Sequence, residues 1–137
     1  MYKTLIEQIK EHEGFRGMPY TDTRGFPTIG YGTKLPIDEE EAELLLKKRL
    51  NDTVKDLKRN YPNFDNLPPT IQEVLLDMGY NMGVPNLMKF RKMWQAIDEG
   101  DWEKMADEMV DSRWYHQVGN RAKHLVQVVR DYAEWAD

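Results

Sequence analysis

Apolar residues recur at helical spacing over most of this chain, and the recurrence breaks in one place. Leu5, Ile6 and Ile9 share one face of residues 2–12, which predicts an amphipathic helix. Glu13 stands four after Ile9 and extends that face, and Gly14 supplies the usual helix stop. From 15 to 34 the helical period is lost. Thr21-Asp22-Thr23-Arg24-Gly25 is rich in turn formers, and Pro27-Thr28-Ile29-Gly30-Tyr31-Gly32 reads as a short β-type segment with tight backbone at its glycines.

The helical period then returns. Ala42, Leu46, Leu50, Val54 and Leu57 form one stripe over 38–60, and Asp38 with Glu41 makes a reciprocal capping pair at its start. Tyr61–Pro69 reads as a linker. Thr70 with Glu73 predicts a second capping box, opening a helix through Ile71, Val74, Leu75 and Met78 to about Met82, where Gly83 ends it. Further helices are expected over about 86–98, 102–111 and 120–135. The pattern is that of an α+β chain, mostly α.

Composition narrows this picture. At 137 residues the chain is one domain by size, with room for two lobes. Hydrophobic content of 40% supplies a core, and no stretch approaches the roughly 20 apolar residues of a membrane span. The first residues hold no continuous apolar run, so no secretory signal is expected. The absence of cysteine excludes disulfides and thiol chemistry. His12, His116 and His124 have no metal-ligand spacing, so neither a metal nor another cofactor is expected. A net charge of −5 argues against nucleic acid as partner. The eight methionines and four tryptophans, mostly in the second half, read as core filling.

Two acids bracket the non-helical stretch. A pair of carboxyls is what glycosidic cleavage requires, one donating a proton to the leaving oxygen and the other acting on the attacking group. Glu13, at a helix C-terminus, meets the negative end of the helix dipole, which favours the protonated form. Each acid also has a plainer reading. Glu13 can be a surface residue at a helix end, and Asp22 can brace its turn by accepting hydrogen bonds from its own backbone.

The order Glu13-Gly14, Arg16, Tyr20, Asp22, Gly25, Thr28-Ile29-Gly30-Tyr31-Gly32 resembles the active-site signature of the phage-type lysozymes, glycoside hydrolase family 24. A second match follows at Ser112-Arg113-Trp114-Tyr115-His116-Gln117 with Asn120-Arg121-Ala122. The resemblance covers nearly the whole chain. It implies a lysozyme-like domain over 1–137: an N-terminal helix with a small β-hairpin lobe at about 13–37, a linking helix at about 38–60 and a helical lobe at about 61–137. It also implies a muramidase hydrolysing the β-1,4 bond between N-acetylmuramic acid and N-acetylglucosamine of bacterial peptidoglycan with inversion. Glu13 matches the general acid, Asp22 its partner carboxylate, and Thr28 the hydroxyl that helps position water.

Arg121 matches an arginine paired with the catalytic glutamate, though on a late amphipathic helix it also reads as a solvated charge. Tyr80 and Asn81 fall where the family lines its cleft. Trp114, within the second match, is counted with them as a substrate-binding candidate, though it reads more readily as core packing under that cleft. The resemblance weakens after Gly32, where Thr33 and Lys34 replace a histidine and a leucine.

The implied setting is an endolysin of a phage or prophage: a monomer made in the bacterial host cytoplasm and acting on the wall after a membrane-breaching partner releases it, without stable membrane insertion. Two alternatives stand beside it. One is a non-catalytic wall-binding or virion structural module, which would have no need of a general acid. The other is a lytic transglycosylase, which would have no need of a water-holding pair at Asp22 and Thr28.

Overall fold

The computed structural model describes residues 2–136. Helix α1 (Tyr2–Glu13) leads into an antiparallel sheet of β1 (Arg16–Thr21), β2 (Pro27–Gly30) and β3 (Thr33–Lys34), in that spatial order. Helix α2 (Glu39–Asn60), a 3-10 turn (Pro62–Asn66) and α3 (Pro69–Met82) follow. The chain continues through α4 (Val84–Leu87), α5 (Arg91–Asp98), α6 (Trp102–Val110), α7 (Arg113–Val118) and α8 (Asn120–Ala136). It is mostly α with one small sheet, as the periodicity predicts. Contacts divide it into two compact units, one ending at Leu46 and the other starting at Lys47, with the division inside α2.

In the first unit, α1 closes with the Gly14 N–H donating to the Lys10 carbonyl at 2.8 Å. The backbone then turns at Gly14, whose φ of 69° favours glycine. Strands β1 and β2 pair Tyr20 with Thr28 and Thr21 with Pro27, and a bulge lies between Arg16 and Tyr20. Strands β2 and β3 pair Thr28 with Lys34 and Ile29 with Thr33.

At the start of α2 the expected capping box is present. The Asp38 N–H donates to Glu41 Oε1 at 3.0 Å, and the Glu41 N–H donates to Asp38 Oδ1 at 2.8 Å. The apolar stripe of α2 is graded rather than uniformly buried: Leu46 and Leu50 are exposed, Val54 is half-buried and Leu57 is fully buried.

The second unit is built around Leu57, Phe64, Ile71, Leu75, Met78, Leu87, Met93, Met105, Met109 and Val129, all essentially inaccessible. Four of the methionines are thus core, as their composition suggested. Trp94 and Trp114 are buried, and the Trp94 indole donates to the Leu87 carbonyl at 3.0 Å. Trp135 departs from the expectation at 79% exposed.

The sequence pattern misjudged four local features. Tyr61–Pro69 is more than a linker, because its 3-10 turn buries Phe64 and Leu67. The Thr70–Glu73 capping box does not form. The chain enters α3 through Pro68-Pro69, a proline already shaped for the first turn, and Thr70 lies inside the helix. The helix expected over 86–98 divides into α4 and α5, because Phe90 leaves helical geometry (φ −77°, ψ 63°). That break lets Leu87 and Met93 both reach the core. Helix α7 was not anticipated; Ser112 caps it, accepting from the Tyr115 N–H at 3.1 Å, and Gly119 ends it.

Leu57 is the buried residue of α2 and belongs to the same core as Phe64 and Ile71. Leu57→Ala is expected to cost about 2–5 kcal/mol of stability, the range for emptying a buried leucine site. A urea denaturation curve checks this, with a lowered midpoint at unchanged slope.

Candidate active site

The sheet of the first unit brings Glu13, Asp22 and Thr28 onto one small scaffold. Glu13 is the last residue of α1 and is exposed. Its carboxyl lies against the backbone of the β2–β3 turn. A methyl group on Gly32 would stand 2.6 Å from Glu13 Oε2 and 2.8 Å from its Cδ, and Gly32 itself has φ of 79°. Only a glycine allows both that backbone angle and that approach. Aromatic contacts join the same two segments: the Phe15 and Tyr31 rings are 5.6 Å apart, and the Lys10 ammonium lies 5.5 Å from the Tyr31 centroid.

Asp22 follows β1 and anchors the β1–β2 turn. Its Oδ1 accepts from the Arg24 N–H at 2.9 Å and from the Phe26 N–H at 2.8 Å. Its own N–H donates to the Phe26 carbonyl at 2.9 Å. The turn-bracing reading is therefore correct for one carboxylate oxygen. The other, Oδ2, is ion-paired with the Lys34 ammonium of β3. The Lys34 bond, then the Phe26 and Arg24 N–H groups, hold the Asp22 carboxyl down at a pKa of about 2, against a smaller upward push from burial.

Thr28 is fully buried in the middle strand, and its hydroxyl donates to the Phe26 carbonyl at 2.9 Å. Its oxygen keeps acceptor capacity on that side of the turn.

In the second unit, Trp114 is buried on α7, edge-on to Phe90 with ring centroids 6.4 Å apart. Its indole donates to Asn81 Oδ1 at 2.9 Å. Trp114 is thus core packing, as the plainer reading held, and also fixes the exposed amide of Asn81. Tyr80 is exposed beside it on a groove of about 500 Å3, lined also by Arg49, Asp52, Thr53, Asp56 and Pro85. Gly79 keeps α3 close to α2 there, since a methyl group on it would meet Thr53 at 3.0 Å.

Arg121, at the start of α8, donates from Nε to Asp77 Oδ1 at 2.7 Å and from Nη2 to the Asp77 carbonyl at 3.3 Å. A separate hollow of about 570 Å3 between Pro68-Pro69 and Trp135 contains none of these side chains.

Two partners escaped sequence reasoning. Lys34 was visible only as a departure from the family pattern, and the strand register that carries it to Asp22 is not written in local composition. Asp77 gave a weak signal, as an acid next to Met78 on the apolar side of α3. Among the described residues, no group of three His, Cys, Asp or Glu could hold a metal ion.

The Gly32 contact is testable before any assay. Gly32→Ala is expected to cost about 1–2 kcal/mol for the left-handed backbone alone, plus the displacement of Glu13. A urea-melt double-mutant cycle separates the two: in a Glu13→Ala background the cost of Gly32→Ala falls.

Comparison with known proteins agrees with the geometry. The phage lysozyme family model matches residues 10–134. The chain is 27% identical to probable T4-type lysozyme 1 of Dictyostelium discoideum, over 94% of this chain and 95% of that one. It is 29% identical to the SAR-endolysin of Bacteriophage PS119, over 90% of this chain and 77% of that one. It is also 29% identical to the pre-baseplate central spike protein Gp5 of Enterobacteria phage T4, over 92% of this chain but only 27% of that much longer protein. With the match running across both units, the chain belongs to the phage lysozyme family and so to the glycoside hydrolases.

Proposed function

We propose that this chain is a peptidoglycan muramidase of endolysin type, cleaving the β-1,4 bond between N-acetylmuramic acid and N-acetylglucosamine. The observation that carries the reading is the asymmetry of its two acids. Asp22 is held ionised by three donors, while Glu13 stands exposed against Gly32. A carboxylate gripped by donors and a second, exposed carboxyl on the same small scaffold are the pair of groups glycoside hydrolysis needs.

Glu13 protonates the glycosidic oxygen as its bond to the anomeric carbon breaks. Asp22 stabilises positive charge on the sugar and holds the water that attacks the opposite face, with the Thr28 oxygen helping to place that water. The water oxygen bonds to the anomeric carbon as its proton passes to the Asp22 carboxylate, and the product is inverted. Arg121, which matches the arginine that the family pairs with its catalytic glutamate, is bonded here to Asp77. On the groove of the second unit, Tyr80 stacks on a sugar face beside Asn81, which Trp114 holds in place.

The substrate is reached from the host cytoplasm after the membrane is breached. No helix among the described residues is long and apolar enough to cross a membrane. The protein acts as a monomer on the wall. A second reading, a lysozyme module carried on a virion, is favoured by the likeness to a phage spike protein, and it uses the same residues.

Digestion of purified peptidoglycan by wild type and Glu13→Gln, with products identified by mass, tests the reaction. Wild type is expected to release hydrated muropeptides with reducing muramic ends. Glu13→Gln should fold and lose about 10³-fold or more of the rate, the scale of general-acid catalysis. Anhydro ends would make the enzyme a transglycosylase. No products from folded wild type on several wall types would leave a binding module.

A further inference from the structure

The strand register sets up a row of side chains across the sheet. Tyr20, Thr28 and Lys34 are directly opposed on β1, β2 and β3, so they share one face. Asp22 is two residues beyond Tyr20, and the turn continues the ladder through the Asp22 N–H bond to Phe26. Alternation returns its side chain to that same face. The Leu35 N–H donates to the Pro27 carbonyl at 2.9 Å, tying the chain directly after Lys34 to β2. Lys34 therefore reaches Asp22 from a strand position fixed on both sides. The Lys34 side chain is 57% exposed and the Asp22 side chain it covers 12%.

An ionised carboxylate offers about four acceptor sites. At Asp22 two N–H groups fill Oδ1 and Lys34 takes one side of Oδ2. One direction on Oδ2 remains for a water. The groups facing this carboxylate are accounted for by element. Lys34 comes from β3, and the turn itself gives the backbone N–H groups of Arg24 and Phe26. The Thr28 hydroxyl of β2 is turned to the Phe26 carbonyl, and Glu13 of α1 lies at Gly32. Lys34 is the charged side chain bonded to Asp22 among the described residues.

We propose that Lys34 is a positioning residue for Asp22, fixing Oδ2 so that the carboxylate serves as an oriented charge and water anchor. This rests on the reading of Asp22 as the partner carboxylate in hydrolysis. An ion pair with a purely structural role would act on folding alone. A role through Asp22 instead moves the ionisation of Asp22 and the acid side of the rate profile.

The test uses the full chain with Lys34→Met, Lys34→Gln and Lys34→Arg. Asp22 is titrated by the carbon-13 shift of its side-chain carboxyl, and peptidoglycan hydrolysis is followed against pH. Wild type and Lys34→Arg should keep Asp22 ionised down to the lowest pH at which they stay folded. In Lys34→Met and Lys34→Gln the titration midpoint should rise by about 1 pH unit or more, the effect of losing an opposite charge at close range. The acid limb of kcat should rise with it, at nearly constant KM. An unmoved midpoint in both uncharged variants overturns the proposal. So does a moved midpoint with an unmoved acid limb, which would leave a salt bridge without a part in turnover. If folded wild type releases no product, the muramidase reading fails, and with it the role of Lys34 in turnover. The shifted midpoint would then mark the ion pair alone, so the two failures remain distinct.

Discussion

A carboxylate drawn out of water keeps its charge only if something replaces the water it loses, and at Asp22 three donors do so. Two come from a turn and one from a strand that is far away in sequence but adjacent in the sheet. The rest of the first unit is consistent with that requirement. The β1–β2 turn must close tightly enough to aim the Arg24 and Phe26 N–H groups at one oxygen. Strand β3 must pair in the register that sets Lys34 opposite Thr28, because a slip of one residue would send the lysine to the other face. Thr28, buried between them, ties its hydroxyl back to the Phe26 carbonyl, so the middle strand and the turn hold each other.

Glu13 is positioned by a different kind of constraint. Nothing polar among its described contacts grips it as Asp22 is gripped; the contact is steric, with its carboxyl resting where a side chain on Gly32 would have to be. The helix stop at Gly14 brings the acid to that turn, and the ring contact of Phe15 with Tyr31 joins the same segments. Asp22 is held by hydrogen bonds, whereas Glu13 is exposed and its carboxyl lies in the space that Gly32 leaves open.

Much of this was legible in the sequence, for reasons particular to each element. Gly14 after an amphipathic run, the Asp38–Glu41 pair and the Val74–Leu75–Met78 face are local signals with local causes, and they appear in the structure close to where the pattern put them. The failures share a different cause. Thr70–Glu73 has the spelling of a capping box, but the prolines before it had already set the helix start. Phe64 and Leu67 lie among turn formers, so a linker reading ignored the two apolar side chains that a 3-10 turn could bury. Lys34 looked like a lost family residue, since its partner is chosen by register across twelve positions. What local pattern could not supply was pairing at a distance: Lys34 with Asp22, Arg121 with Asp77, Trp114 with Asn81.

The same distinction bears on the acidic balance of the chain. A net charge of −5 does not favour attraction to an anionic wall, and the basic residues Arg113, Arg121, Lys123 and Arg130 fall close together late in the chain. Pairing removes part of that patch. Arg130 donates to both Glu103 and Asp107 of α6 at 3.1 Å, and Arg121 is committed to Asp77. These cations complete ion pairs between helices, and their fields are largely cancelled within a few ångströms, well inside the roughly 8 Å screening length of physiological salt. Attraction to the wall therefore cannot rest on them. Under the proposed function, engagement of substrate falls instead to short-range contacts, of the kind proposed for Tyr80 and the Asn81 amide held by Trp114.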